Sequence, residues 1–241
     1  MKHIHLETVD STMNYLARPE FEACEDSFIL VTTEVQTCGR GQQGNRWESE
    51  AGKNLLFSLR IHRPPLLAKD QFHFAEINAL ALVETLDQYA EGFCIKWPND
   101  IYHKDQKICG TLTTHTLQGQ HLKSSLIGVG ININQTTFYS DAPNPVSLIH
   151  IVGHEVDRQT ILTDYLQRLK NDLARVSMGN QPHIHQRYLQ RLYRLQEWHT
   201  YRTNGQTFMG KIIDVTHTGC LVVEMQSGEV RTFVFKEIEY A

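Results

Sequence analysis

Apolar residues in the first part of the chain come in short blocks divided by polar turns. Phe28-Ile29-Leu30-Val31 runs into Thr32-Thr33-Glu34-Val35, and residues 55–61 form a second block of the same kind. Runs of this length, rich in β-branched and aromatic residues and bounded by turn formers, predict buried strands. Residues 3–8 read as an earlier strand. Asp10-Ser11-Thr12 then offers helix-starting side chains ahead of Met13 to Ala17, with Pro19 as the stop. Within residues 69–90, Phe72, Ala75, Ala79, Val83, Leu86 and Ala90 recur at helical spacing and predict an amphipathic helix laid on a sheet. Residues 94–97, 101–103, 107–117 and 121–133 predict four strands joined by short turns, for which antiparallel pairing is the simplest connection.

From Asp157 onward the pattern becomes helical again, with Ile161, Leu162, Tyr165, Leu166, Leu169, Leu173 and Val176 on one stripe and a third helix around residues 186–195. The tail changes character. Residues 206–215, 219–225 and 229–235 are short strand patterns linked by glycine-containing turns, the signature of a small β-barrel. A tail this short rarely derives more than about 3–5 kcal/mol from its own core, so it is expected to dock on the rest. The division predicted is residues 1–198 and 199–241.

Composition narrows the function classes. The 241 residues carry a net charge of -4, which gives no general attraction to DNA or RNA backbones. Five cysteines, odd in number and without a C-x-x-C, point to reduced thiols in the cytoplasm. The opening residues lack the apolar core of a targeting peptide, and no 18 apolar residues run together, so no membrane association is expected. There is no G-x-S-x-G, and His150 and His154 stand four apart without the glutamate of a zinc-protease helix.

Candidate chemistry lies in three stretches. Gly39-Arg40-Gly41-Gln42-Gln43-Gly44 satisfies G-x-G-x-x-G, yet no helical pattern follows it, as a dinucleotide-binding turn requires. Its glycines permit close backbone approach to an anion, Arg40 and Arg46 offer guanidinium forks, and Trp47 offers an apolar lid. A surface loop with scattered charges has the same composition. Lys96-Trp97-Pro98-Asn99-Asp100, followed by Lys107-Ile108-Cys109-Gly110, brings two cations, a carboxylate and an amide into a small volume, the groups a nucleotide with magnesium needs; a charged turn also fits. In Gly128-Val129-Gly130-Ile131-Asn132, glycines at alternate strand positions mean either close approach of a ligand or backbone, or a bulge.

In this order, Ser11-Thr12, Gln36, GRGQQGNRW, KWPND, Lys107 to Gly110 and GVGIN resemble the biotin protein ligases, of the bacterial type without an N-terminal DNA-binding domain. The resemblance covers residues 4–135 and extends to the tail, which looks like that family's SH3-like domain. It implies an α+β fold: a mixed, largely antiparallel sheet with packing helices, related to class II synthetase and lipoate ligase catalytic domains. It implies a reaction in two steps. Biotin and ATP form biotinyl-5′-AMP, and biotin then passes to one lysine of a biotin carboxyl carrier protein. Two unit charges 4 Å apart repel by roughly 4 kcal/mol at an effective dielectric of about 20, enough to slow the first step about a thousandfold unless cations compensate.

The same resemblance implies roles. Arg40, Lys107 and Asp100 are the catalytic candidates. Ser11, Thr12, Gln36, Gly39, Arg40, Gly41, Lys107, Gly110 and Gly128 line biotin. Arg40, Gln42, Arg46, Trp47, Lys96, Asn99 and Asn132 hold the adenylate, and Asn99 or Asp100 lies near magnesium or the incoming lysine. ATP with Mg2+ is the co-substrate, and no prosthetic group is expected. Gln42 stands where many members have a second arginine, and the catalytic motifs begin near residue 8, which leaves no room for an operator-binding winged helix. Members of the family are monomers or homodimers. A lipoate or octanoate ligase or transferase on the same fold, and a non-catalytic biotin-binding module, are the rival readings; the module would keep Ser11 and Gln36 and lose Arg40 or Lys107.

Overall fold

The computed structural model describes residues 1–41, 46–140 and 143–241. Strand β1 (Lys2–Val9) leads into two short helices, α1 (Thr12–Leu16) and α2 (Pro19–Glu22), before β2 (Phe28–Gln36). Pro19 does not merely end α1. It opens α2, because the first helical turn tolerates a residue without an N–H and favours its fixed φ. β1 and β2 pair in parallel with Val9 opposite Gln36, so both strands finish at the same edge. Ser11, Thr12 and Gln36 arrive there together. The buried Arg60 guanidinium secures the far end of α1 by donating to the Leu16 carbonyl from Nε (3.1 Å) and Nη2 (2.8 Å), satisfying an acceptor the helix leaves open.

β3 (Leu55–His62) precedes helix α3 (Phe72–Leu86), and then come β4 (Phe93–Lys96), β5 (Asp100–His103), β6 (Gln106–Gln118) and β7 (His121–Ile131). The seven strands run in the order β1-β2-β3-β7-β6-β5-β4, with every pairing after the first antiparallel. This is the mixed, largely antiparallel sheet expected. α3 is shorter than the expected 69–90, since a 3-10 turn, Ala68–Asp70, comes before it. It is also not amphipathic in the expected sense. Ala75 and Ala90 are only half-buried, whereas Phe74, Ile77, Leu80 and Val83 are fully buried together with Glu76, Asn78 and Thr85.

The reason is what covers it. α4 (Leu148–Val152) is followed by α5 (Arg158–Ser177) and α6 (Gln181–Gln190), and α3 packs on β4 and β5 on one side and on α5 and α6 on the other. α6 lies about a turn and a half before the expected 186–195. Its start carries Pro182, and the chain after it leaves the helix so that Leu192 bridges Ile95 and Leu195 bridges Ile212.

The tail expected to form a small barrel is a five-stranded antiparallel sheet: β8 (Trp198–Thr203), β9 (Gln206–Val215), β10 (Leu221–Met225), β11 (Val230–Phe233) and β12 (Glu239–Tyr240), in the order β11-β10-β9-β8-β12. Its apolar residues Tyr201, Ile212, Leu221, Val223 and Phe233 share one continuous core with Ile184, Tyr188 and Leu192, which docks it on the larger sheet. Among the described residues no helix is long and apolar enough to cross a membrane.

Candidate active site

The ends of β1 and β2, the β4–β5 turn and the middle of β6 and β7 surround a cavity of about 900 Å³. Its inner end is neutral. Thr12 donates to the Gln36 side-chain oxygen from its backbone N–H (2.8 Å) and from Oγ1 (3.1 Å), and Oγ1 lies 2.8 Å from Ser58 Oγ. With the Thr12 hydroxyl proton given to Gln36, Ser58 is the donor in that last bond. What Gln36 offers a ligand is therefore its NH₂ group. Ser11 and Thr12 are 2 % exposed, and both line the cavity.

Met13 occupies the space over Gly128: a Cβ there would lie 2.5 Å from its sulfur. Gly130 and Gly110 are direct partners across β7 and β6, and the Trp47 indole lies on both. A Cβ on Gly130 would stand 2.6 Å from Trp47 Cε2, and one on Gly110 2.9 Å from Cζ3. The alternate glycines are thus a seat for two side chains, neither a bulge nor an approach of foreign backbone. Gly130→Ala is expected to displace the indole at a cost of about 1–3 kcal/mol, read by chemical denaturation. In a Trp47→Ala background the same change should cost almost nothing, because the clashing group has gone.

The chain reaches Trp47 through the glycine stretch. Arg40 and Arg46 form an antiparallel bridge, and Trp47 N–H donates to the Gly39 carbonyl at 3.1 Å. Gly39 does not line the cavity; a Cβ on it would meet the Trp47 carbonyl at 2.7 Å, so its smallness serves this return of the chain. Arg40, Gly41 and Arg46 do line it, whereas Gln42 and Gly44 lie outside the described residues. Behind them, Glu48 accepts from the backbone N–H groups of Tyr139 (2.9 Å) and Ser140 (2.7 Å), tying the exit of this stretch to the opposite lip. Burial works to raise the Glu48 pKa, but these hydrogen bonds outweigh it and hold the carboxyl below its ordinary range.

The outer end is charged: Arg40, Arg46, Lys96, Lys107 and Lys236 line it against Glu48, Asp100 and Glu239. Lys107 Nζ lies 2.7 Å from Asp100 Oδ2 and 5.8 Å from the Trp47 ring centroid. Lys96 donates to Tyr102 Oη at 3.0 Å, and burial holds its pKa below the usual lysine value, with Asp100 opposing that shift. Asn99 is turned inward: its amide donates to the Thr111 carbonyl, and Thr111 Oγ1 returns a bond to the Asn99 carbonyl at 3.1 Å. Asn132 donates to the Val146 carbonyl at 3.2 Å, while its buried Oδ1 has no partner among the described residues. Among those residues no group of three His, Cys, Asp or Glu side chains could hold a metal, and His150 and His154 make separate local contacts to backbone carbonyls.

The fold therefore gathers Ser11, Thr12, Gln36, Arg40, Gly41, Arg46, Trp47, Lys96, Asn99, Asp100, Lys107, Gly110, Gly128 and Asn132 around one space. It adds residues that no local pattern revealed. Ser58, in an apolar strand run, supports Thr12 from behind the lining, and Phe235, Lys236 and Tyr240 line the cavity from the tail, more than a hundred residues from the other motifs.

Residues 6–132, over half the chain, match the profile of the biotin/lipoate A/B protein ligase family. The chain belongs to that family. The biotin/lipoate ligase match takes in every candidate from Ser11 to Asn132. Among relatives, the bifunctional ligase/repressor BirA of Bacillus spizizenii is 31 % identical over 220 residues, covering 83 % of this chain and 62 % of its own length. The biotin–[acetyl-CoA-carboxylase] ligase of Paracoccus denitrificans is 28 % identical over 207 residues, covering 82 % of this chain and 85 % of its own. The biotin protein ligase of Aquifex aeolicus, solved in complex with biotin and ATP, shares the fold with a TM-score of 0.80 over 100 % of this chain and 99 % of its own, at 23 % identity.

Proposed function

We propose that the protein is an ATP-dependent biotin protein ligase. In the first step a biotin carboxylate oxygen attacks the α-phosphorus of ATP, the bond to the β-phosphate oxygen breaks, and pyrophosphate leaves. In the second, the ε-amine of a carrier-protein lysine attacks the acyl carbon, loses a proton and expels AMP. The observation that carries this reading is the division of one cavity into a neutral end, built from Ser11, Thr12 and Gln36 with Ser58 behind Thr12, and a cationic end, built from Arg40, Arg46, Lys96 and Lys107.

The two ends suit the two substrates. An uncharged ureido ring is best held by neutral donors and acceptors, which compensate its lost water without leaving a buried charge. Carboxylate and triphosphate together need the cations, which stabilise charge most where water is excluded. The mixed anhydride formed is hydrolysable, and Trp47, lying across the cavity floor beside Lys107, supplies apolar cover. The names of the relatives favour biotin over lipoate as the cargo, and one of them names acetyl-CoA-carboxylase as the protein modified, which supports a biotin carboxyl carrier protein as the acceptor.

Magnesium fits best as a passenger on ATP. Among the described residues, Asp100 has one oxygen on Lys107, Glu48 has both on backbone or amide N–H groups and Glu239 lies 3.7 Å from Arg202, so no group of carboxylates there forms a resident site. The five cysteines are free thiols, which suits work in a cytoplasm. Incubation of the purified chain with labelled biotin, MgATP and a carrier domain is expected to release pyrophosphate and to add one biotin per carrier. Transfer of lipoate in place of biotin would replace this reading with its nearest rival, and biotin binding without pyrophosphate release would reduce the protein to a binding module.

A further inference from the structure

Lys96 is an unusual cation for a nucleotide cavity, because its ammonium is held between two tyrosines. Its Nζ donates to Tyr102 Oη at 3.0 Å and lies 4.7 Å from the ring centroid of Tyr240. Tyr102 belongs to β5, one turn from Lys96 itself, whereas Tyr240 belongs to β12, at the edge of the second sheet. The Tyr240 ring is fixed in turn. Tyr201, its partner across β8, meets it edge-on at 5.5 Å, and Tyr193 lies at 6.0 Å. The neighbouring residue of the same turn is gripped from the same side: Trp97 Nε1 donates to the Gly219 carbonyl at 3.0 Å, and its ring meets Phe235 at 6.0 Å.

We infer that Tyr240 is a positioning residue which, with Tyr102, holds the Lys96 ammonium at the cationic end of the cavity, so that the second sheet forms part of the nucleotide-binding apparatus. Tyr102 holds the ammonium through its hydroxyl oxygen, and Tyr240 through the attraction of a cation for the negative face of a π system, strengthened where water is kept away. It also fixes a four-carbon side chain that would otherwise lose its freedom only when the nucleotide arrives, and prior ordering of this kind favours binding. The Tyr240 hydroxyl is buried with no partner among the described residues, so the ring and not the hydroxyl makes the contact. The inference rests on the ligase reading for the identity of the nucleotide, but not for the clamp.

Two measurements on the full chain test it. In the first, lysines are reductively methylated with ¹³C-formaldehyde, and the Lys96 signal, assigned with a Lys96→Arg variant, is expected upfield of the others through the ring currents. Tyr240→Leu should move it to the position of exposed lysines, and Tyr240→Phe should keep it upfield. An unmoved signal in Tyr240→Leu overturns the clamp whatever the enzyme does. In the second, pyrophosphate release is followed against ATP at saturating biotin. Tyr240→Leu is expected to raise the KM for ATP about tenfold without changing the Kd for biotin, Tyr240→Phe to restore it, and a Lys96→Met background to abolish the difference between them. A general loss of folding would weaken biotin binding too and would overturn the positioning role, as would a tenfold effect that persists without Lys96. A wild-type chain that releases no pyrophosphate would sink the ligase reading, and the resonance of Lys96 would still decide the clamp.

Discussion

Lys107→Ala is expected to slow formation of biotinyl-5′-AMP by 100-fold or more, on the order of 3 kcal/mol of lost transition-state stabilisation. The size follows from two effects acting together. The variant lacks the cation proposed to stand where carboxylate and phosphate meet, and it removes the ammonium that lies 2.7 Å from Asp100 Oδ2, leaving a less compensated negative charge in the same cavity. Single-turnover release of pyrophosphate from pre-bound biotin and ATP measures the step directly. Near-normal adenylation in the variant would remove Lys107 from the chemistry.

Loss of the Glu76 carboxylate should be the largest stability effect in the molecule away from the cavity. Glu76 lies on α3 with 0 % of its side chain exposed, and its oxygens meet His73 Nδ1 and His185 Nδ1, each at 2.6 Å; His185 Nε2 continues to Asp214 at 3.2 Å on β9. The chain of contacts fastens α3, α6 and the second sheet to one another. Glu76→Ala removes the central member and is expected to cost about 3 kcal/mol, because the imidazoles keep their burial without their partner. Denaturant titration at constant pH measures it.

The same cluster sets a pH window. Hydrogen bonding to Glu76 raises the His185 pKa above its ordinary 6.5, so its contribution is complete below that value and disappears as pH rises through the folded-state value. For Glu76 burial pushes upward, but hydrogen bonds from His185 and His73 prevail and lower the pKa from its ordinary 4.5. Its contribution is complete above 4.5 and disappears as pH falls through the lowered value. Both contribute fully between about pH 4.5 and 6.5, so the wild-type Tm should decline as pH is raised beyond 6.5, whereas that of Glu76→Ala should lack this part of the decline.

Most strands of the larger sheet were legible because they are short apolar blocks with their own turns, and the three chemical stretches because glycines and cations recur in them, although only their meeting around one cavity separates them from charged surface turns. What escaped the sequence follows from neighbours that a local pattern does not contain. α3 reads as one-sided at Phe72, Ala75, Ala79 and Val83, yet α5 and α6 cover its second face, and that burial could not be inferred before the later helices were placed. The pairing of Gly110 with Gly130 depends on register, so the indole resting on them was invisible while its purpose, room for something close, was readable. Tyr240 carries no motif at all. Its place beside Lys96 comes from β12 joining β8, a two-residue strand with no periodicity to detect.

The parallel register that sets Val9 against Gln36 has a practical corollary. In the proposed ligase the neutral recess stands on two strand ends and is bounded by Met13, while the cations stand on loops and turns at the other end of the cavity. Reshaping that recess at Met13 is therefore expected to change which acid fits while leaving the cationic end as it is.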